Sequence, residues 1–241
     1  MGVTGVSLAG LTERRDSGAA ESIALLLTAD YRLPVLMPNF ATPELHALIL
    51  ATSFSAGLNV YATVATLGLL SRAQVLVLPP ALHPVASWYV IGACLALFLV
   101  EFFADKIPAF DLVWNALHTF VRIPVAALLA WGAAAQLSPG MQVLATVLGG
   151  GIALAAHSGK MAARLAVTPS PEPFSNIGLS LGEDALAVFL TWVTSQHPYI
   201  SATIVIVALL LILLMIRWVI RAMRSLFRGA ERQMTSATGA A

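Results

Sequence analysis

The chain has 241 residues, 59% hydrophobic and only 10% charged, whereas soluble domains carry about a quarter charged residues. Several apolar runs approach twenty residues, so the composition describes an all-α, polytopic integral membrane protein of about six helices plus tails. A formal net charge of +1 with no basic stripe excludes nucleic acid as a partner. Cys94 is the only cysteine, so disulfides and cysteine metal clusters are excluded within one chain.

Residues 1–43 are mixed in character, and Pro34, Pro38 and Pro43 interrupt any long helix. They read as a cytoplasmic tail with one short interfacial helix around Ser22–Thr28. ESIALLL is short and follows Glu13, Arg14, Arg15 and Asp16, so a cleaved signal peptide is not expected. The membrane domain is expected over 44–224 and a basic cytoplasmic tail over 225–241. The first span runs from Glu44 to Leu70, with a centre rich in Ser, Thr, Gly and Ala that suits burial among other helices.

Arg72 and Pro79-Pro80 mark a loop, and the second span runs from Val85 to Phe103. It ends in EFFADKIPAFD, where Glu101 and Asp105 share a helix face and Pro108 stops the helix. In the third span, Phe110 to Leu137, Asp111, Asn115, His118 and Arg122 follow at steps of four, three and four and form one polar stripe. Arg122 falls roughly 16 Å along the axis from Asp111, near the middle of a bilayer.

The fourth span begins near Met141 and carries His157, Lys160 and Arg164 on one face. TPSPEPFSN, with three prolines, reads as a bend, and Ser175 or Asn176 as the cap of a short fifth span, Leu181 to Ser195. Glu183 and Asp184 head that span. The sixth, Ala202 to Trp218, is the most lipid-like and ends among arginines.

Six spans with the Arg-rich end inside place both termini in the cytoplasm. Arg14, Arg15, Arg32, Lys106, Lys160, Arg164 and the five C-terminal arginines then lie inside, and only Arg72 lies outside. This positive-inside bias supports the count and an inner-membrane location. The two halves also resemble each other: Ser55–Thr66 aligns with His157–Thr168, and Cys94–Leu99 with Ala185–Leu190. Two three-span halves, about 44–137 and 141–224, would be inverted repeats with a site at their interface. Chance likeness of small-residue helices is the other reading.

SAGLNVYATV, EFFADKIPAFDLVWNALHTFVRIPVAALLA and GIALAAHSGKMAARLAVTPSPEPFSNIGLSLGEDAL resemble the bacterial membrane family called domain of unknown function 4126 (DUF4126), over about Ala51 to Leu214. The resemblance implies a multi-helix integral membrane protein and assigns no role to any residue.

The charged residues admit sharp and bland readings. A charge at mid-bilayer costs roughly 3 kcal/mol on insertion scales, so Arg122 is either a solute ligand or half of an ion pair, with Glu101 as partner. Glu101 and Asp105 could hold a divalent cation, but Lys106 beside them favours simple pairing. Asp105, Asp111, Lys160, Arg164, Glu183 and Asp184 are expected to converge as a cytoplasmic charge cluster, with the two acids favoured at a helix N-terminus. Alternatively Lys160 and Arg164 snorkel to headgroups. His118 and His157 are core histidines or proton relays. No catalytic constellation, cofactor fingerprint or metal motif is present, which argues against an enzyme.

The leading expectation is a small transporter or channel-like protein for an anionic or zwitterionic solute, its path lined by Ser55, Asn59, His118, Arg122, His157 and Lys160. A protein or enzyme acting on lipid headgroups, and a scaffold held by structural ion pairs, are the alternatives. The bilayer is the partner implied throughout, and assembly of several copies is left open.

Overall fold

A computed structural model describes residues 42–167 and 173–238. The expected interfacial helix at Ser22–Thr28 and most of the TPSPEPFSN bend lie outside them. The described residues form helices α1 (Thr42–Leu58), α2 (Val60–Arg72), α3 (Trp88–Ala104), α4 (Pro108–Ala133), α5 (Pro139–Val167), α6 (Pro173–Gln196) and α7 (Pro198–Thr238), with a 3-10 helix at Pro80–Ala86 and no strand. Each of α4 to α7 begins on a proline, whose fixed φ and missing N–H suit the first position of a helix.

Four helices are long and apolar enough to cross a membrane: Val113–Ala133, Pro139–Arg164, Ile177–Gln196 and Pro198–Trp218. A fifth arises if the 3-10 helix and α3, bent by 61°, count as one span. The protein is thus an integral membrane protein by length and composition. Its packing is that of a chain in lipid, with Phe120, Leu128, Val147, Leu211, Leu214 and Trp218 facing outward while Arg122 and Arg164 are among the largest fully buried side chains.

α1 is the hub and packs against α2, α4, α5, α6 and α7. Residues 51–60 are buried without exception, as a helix covered on every side must be. Small residues permit the close crossings. A Cβ on Gly57 would stand 2.5 Å from the Ala153 carbonyl oxygen of α5.

The expected first span is two helices. Asn59 takes an extended backbone (φ −146, ψ 105), and its side-chain oxygen caps α2 by accepting from the Ala62 N–H at 2.9 Å. Asn is among the best N-caps, and the break persists here because other helices supply partners for the groups it frees. The fifth span also differs from expectation. α6 starts at Pro173, so Ser175 and Asn176 lie inside its first turn and do not cap it; the last of the three prolines occupies the first helical position. At the far end, α7 continues to Thr238, so the segment expected as a basic tail prolongs the last helix.

Candidate functional site

Helix α4 presents its polar stripe to α3 and α5. The Arg122 guanidinium is fully buried. Nη2 pairs with Glu101 Oε1 of α3, and Nη1 donates to Asn115 Oδ1 at 2.8 Å and to His157 Nδ1 at 2.9 Å. The last bond sets the state of His157. With Nδ1 accepting from an arginine, the ring is neutral and carries its proton on Nε2, which donates to Thr119 Oγ1 at 2.7 Å. Thr119 in turn donates to the Asn115 carbonyl at 3.2 Å. His118 belongs to a separate group, with Nδ1 donating to the Trp114 carbonyl at 2.8 Å and Nε2 bonded to the Tyr61 hydroxyl at 3.0 Å.

One and two turns along α5 from His157, the cations are different again. Lys160 Nζ lies 3.2 Å from Glu183 Oε2, 3.4 Å from Asp105 Oδ2 and 3.5 Å from Glu101 Oε1. It also donates to the Leu58 carbonyl at 3.2 Å, which is the C-terminal end of α1 and attracts a cation. Arg164 Nη2 pairs with Asp105 Oδ2 at 2.8 Å and Glu183 Oε2 at 2.7 Å. Ser180 donates to Asp105 Oδ2 at 3.4 Å. Asn59 joins the break in α1–α2 to α6, because its amide nitrogen donates to Asp184 Oδ1 at 2.8 Å.

The structure therefore brings Asp105, Lys160, Arg164, Glu183 and Asp184 into one buried cluster and joins it through Glu101 to Arg122 and His157. The Asp111 side chain lies outside the described ones. Ser55 is buried, and its hydroxyl, like that of Ser53, has no hydrogen-bond partner among the described residues. His118 sits on the same helix as Arg122 but has its own partners. Glu101 and Asp105 are both engaged by cations, and no group of three or more His, Cys, Asp or Glu able to hold a metal occurs among the described residues.

Four participants carried no sequence signal that singled them out. Thr119 lies four residues past Asn115 and could have been added to the stripe. Tyr61, Ser180 and the Leu58 carbonyl depend on how the helices meet. Among the described residues, two concavities lie beside helices that carry the network. One, of about 430 Å³, lies between α1, α5 and α7 with Ile49, Leu148, Ile152 and Ile206 in its wall. The other is a groove of about 570 Å³ between α3 and α6, lined by Phe98, Phe102, Asp184, Val188, Phe189 and Trp192. Arg122 lines neither.

No curated protein and no solved structure matches the chain. The family described as Domain of unknown function (DUF4126) matches residues 46–218, from the first turns of α1 to the end of the apolar stretch of α7 and so across the described charge network. The chain belongs to the DUF4126 family.

Proposed function

We propose that the chain is a small inner-membrane transporter for a zwitterionic or anionic solute, with Ser55, Asn59, His118, Arg122, His157 and Lys160 along its path. The observation that carries this reading is the break at Asn59. A discontinuous helix whose freed backbone and capping side chain meet Lys160 and Asp184 is the arrangement carriers use for ions and charged solutes at mid-membrane. Among the described residues four carboxylates face three basic side chains in the network, which favours a zwitterion over a simple anion. Its cationic end would exchange with Lys160 on the acids and its anionic end with Glu101 on Arg122.

Counting α1–α2 as one broken span and the 3-10 helix with α3 as one bent span gives six, with both termini cytoplasmic, as the basic-residue bias supports. Inverted repeats would then pair α1–α4 with α5–α7, although the segment matched to the Asn59 break, around Met161, continues as unbroken helix.

Uptake of a panel of labelled zwitterionic and anionic solutes into liposomes holding the purified protein tests the reading. Saturable uptake of one member, lost in Lys160→Ala, supports it. No uptake and no thermal stabilisation by any member would leave the second reading, a closed ion-pair core that holds helices together. That reading is favoured by one observation: Arg122 is fully buried and borders neither concavity.

A further inference from the structure

Among the described residues the buried network does not balance. Glu101, Asp105, Glu183 and Asp184 stand against Arg122, Lys160 and Arg164, and none of the seven is more than 8% exposed. His157 adds no positive charge, because its Nδ1 accepts from Arg122. Among the described residues the core therefore holds one more acid than base, and an uncompensated charge in low dielectric is costly.

The three cations are not shared evenly. Glu101 meets Arg122 and Lys160, while Asp105 and Glu183 each meet Lys160 and Arg164. Among the described residues, no cation lies within salt-bridge distance of Asp184. Its Oδ1 accepts from the neutral amide of Asn59, and its Oδ2 has no hydrogen-bond partner although the residue is only 6% exposed. The other charged groups facing it among the described residues are three acids and three bases. Glu101 of α3, Asp105 of the α3–α4 loop and Glu183 of its own helix are acids. Lys160 and Arg164 of α5 are committed to those acids, and Lys106 of the same loop donates to the Phe102 carbonyl at 2.7 Å. Of the other helices packed on α6, α2 carries Tyr61, which is bonded to His118, and α1 and α7 contribute no residue to the described ion pairs.

We propose that Asp184 is a proton-binding site, its proton neutralising the one carboxylate of the described network that meets no cation. The proton comes from hydronium in the bulk solvent, which is left as water, and adds to Oδ2, the oxygen without a partner; Oδ1 keeps the Asn59 amide, and no other bond in the network changes. A proton suits the position better than a larger cation. The groove beside Asp184 is walled by Phe98, Phe102, Phe189 and Trp192 and offers no second oxygen. Asp184 reports to the helix break through Asn59, which caps α2 with its other amide atom. Loss of the proton thus places a full negative charge at the N-terminal end of α2, where the dipole receives it. The site deepens the transporter reading by naming a coupling ion, and it is measured without any solute.

Infrared spectra of the full-length protein in lipid nanodiscs at neutral pH, in H₂O and D₂O, test this. A protonated carboxyl C=O band is expected in the wild type, absent from Asp184→Asn and retained in Glu183→Gln. Should Asp184→Asn fail to fold, wild-type protein labelled with ¹³C-carboxyl aspartate gives the answer, because the band must then shift. A band that ignores aspartate label, or survives in Asp184→Asn, overturns the assignment. The absence of any carboxyl band also overturns it. Absence of solute uptake with the band present defeats the transporter reading and leaves the proton site standing.

Discussion

Helices α4 and α5 lie side by side, and their two halves are held together by opposite means. Where the end of α4 meets the start of α5, Ala126, Ala130 and Ala133 pack on Ala145, Gly149 and Ala153, and all the alanines are buried. Where the start of α4 meets the end of α5, Asn115, Thr119 and Arg122 interlock with His157, and Lys160 and Arg164 extend the network to α3 and α6. Lipid chains are as apolar as leucine, so neither half is driven together by water. The first gains dispersion from close backbones. The second gains directional bonds, and only because nearly every charge has a partner. Defects should therefore hurt differently in the two halves.

The largest effect is expected at Arg122. Replacing it by alanine leaves Glu101 without its arginine and His157 without its donor, and breaking a buried pair from one side costs roughly 3–5 kcal/mol. The melting temperature in detergent should fall sharply in Arg122→Ala. The double change Arg122→Met with Glu101→Gln should recover most of the loss, because Lys160 still has Asp105 and Glu183. A single mutant as stable as wild type would show that the ionic half is not held by its bonds, and the contrast with the small-residue half would collapse.

A smaller loss is expected at Gly57, where the two kinds of packing meet. A methyl group there would sit 2.5 Å from the Ala153 oxygen and 2.8 Å from the Ala156 Cβ, so α1 and α5 must move apart. Overpacking of this kind costs roughly 1–3 kcal/mol. The same movement draws the Leu58 carbonyl away from Lys160. Thermal melts of Gly57→Ala and Lys160→Met, singly and together, measure the link. Losses that simply add would mean that the seam and the network are independent.

The ionic half was largely legible in the sequence and the break beside it was not. Steps of three and four at Asn115, His118 and Arg122, and again at His157, Lys160 and Arg164, are helix geometry and need no knowledge of neighbours. Arg122 also had to find a carboxylate, and Glu101 was within one loop of it. The break at Asn59 is another matter. No proline or charged residue marks it, and the residue that donates to the freed Leu58 carbonyl lies 102 positions away. The start of α6 failed for a local reason: three prolines read as a bend, yet the last is where a helix tolerates one. Which acid lacks a cation was invisible for the same reason as the break. Glu183 and Asp184 are sequence neighbours, and only the approach of Arg164 and Lys160 tells them apart.

The finest test of the small-residue half lies in three consecutive glycines of α5. Successive helical residues point about 100° apart, so Gly149, Gly150 and Gly151 sample three environments at one height. A Cβ on Gly149 would stand 2.5 Å from the Ala130 Cβ and 2.9 Å from the Ser53 hydroxyl oxygen. On Gly150 its nearest neighbour would be the Ala127 Cβ at 3.6 Å, an ordinary contact, and on Gly151 it would meet nothing within 4 Å. In water an alanine in place of a mid-helix glycine stabilises by roughly 0.5–1 kcal/mol. In a bilayer the separated helix remains helical, so that gain shrinks toward zero, and packing alone should set the order. Gly149→Ala should lower the melting temperature, Gly150→Ala should leave it nearly unchanged, and Gly151→Ala should be neutral or slightly stabilising. Equal shifts at all three would mean that the glycines serve the flexibility of α5, and that close approach is not what holds this half together.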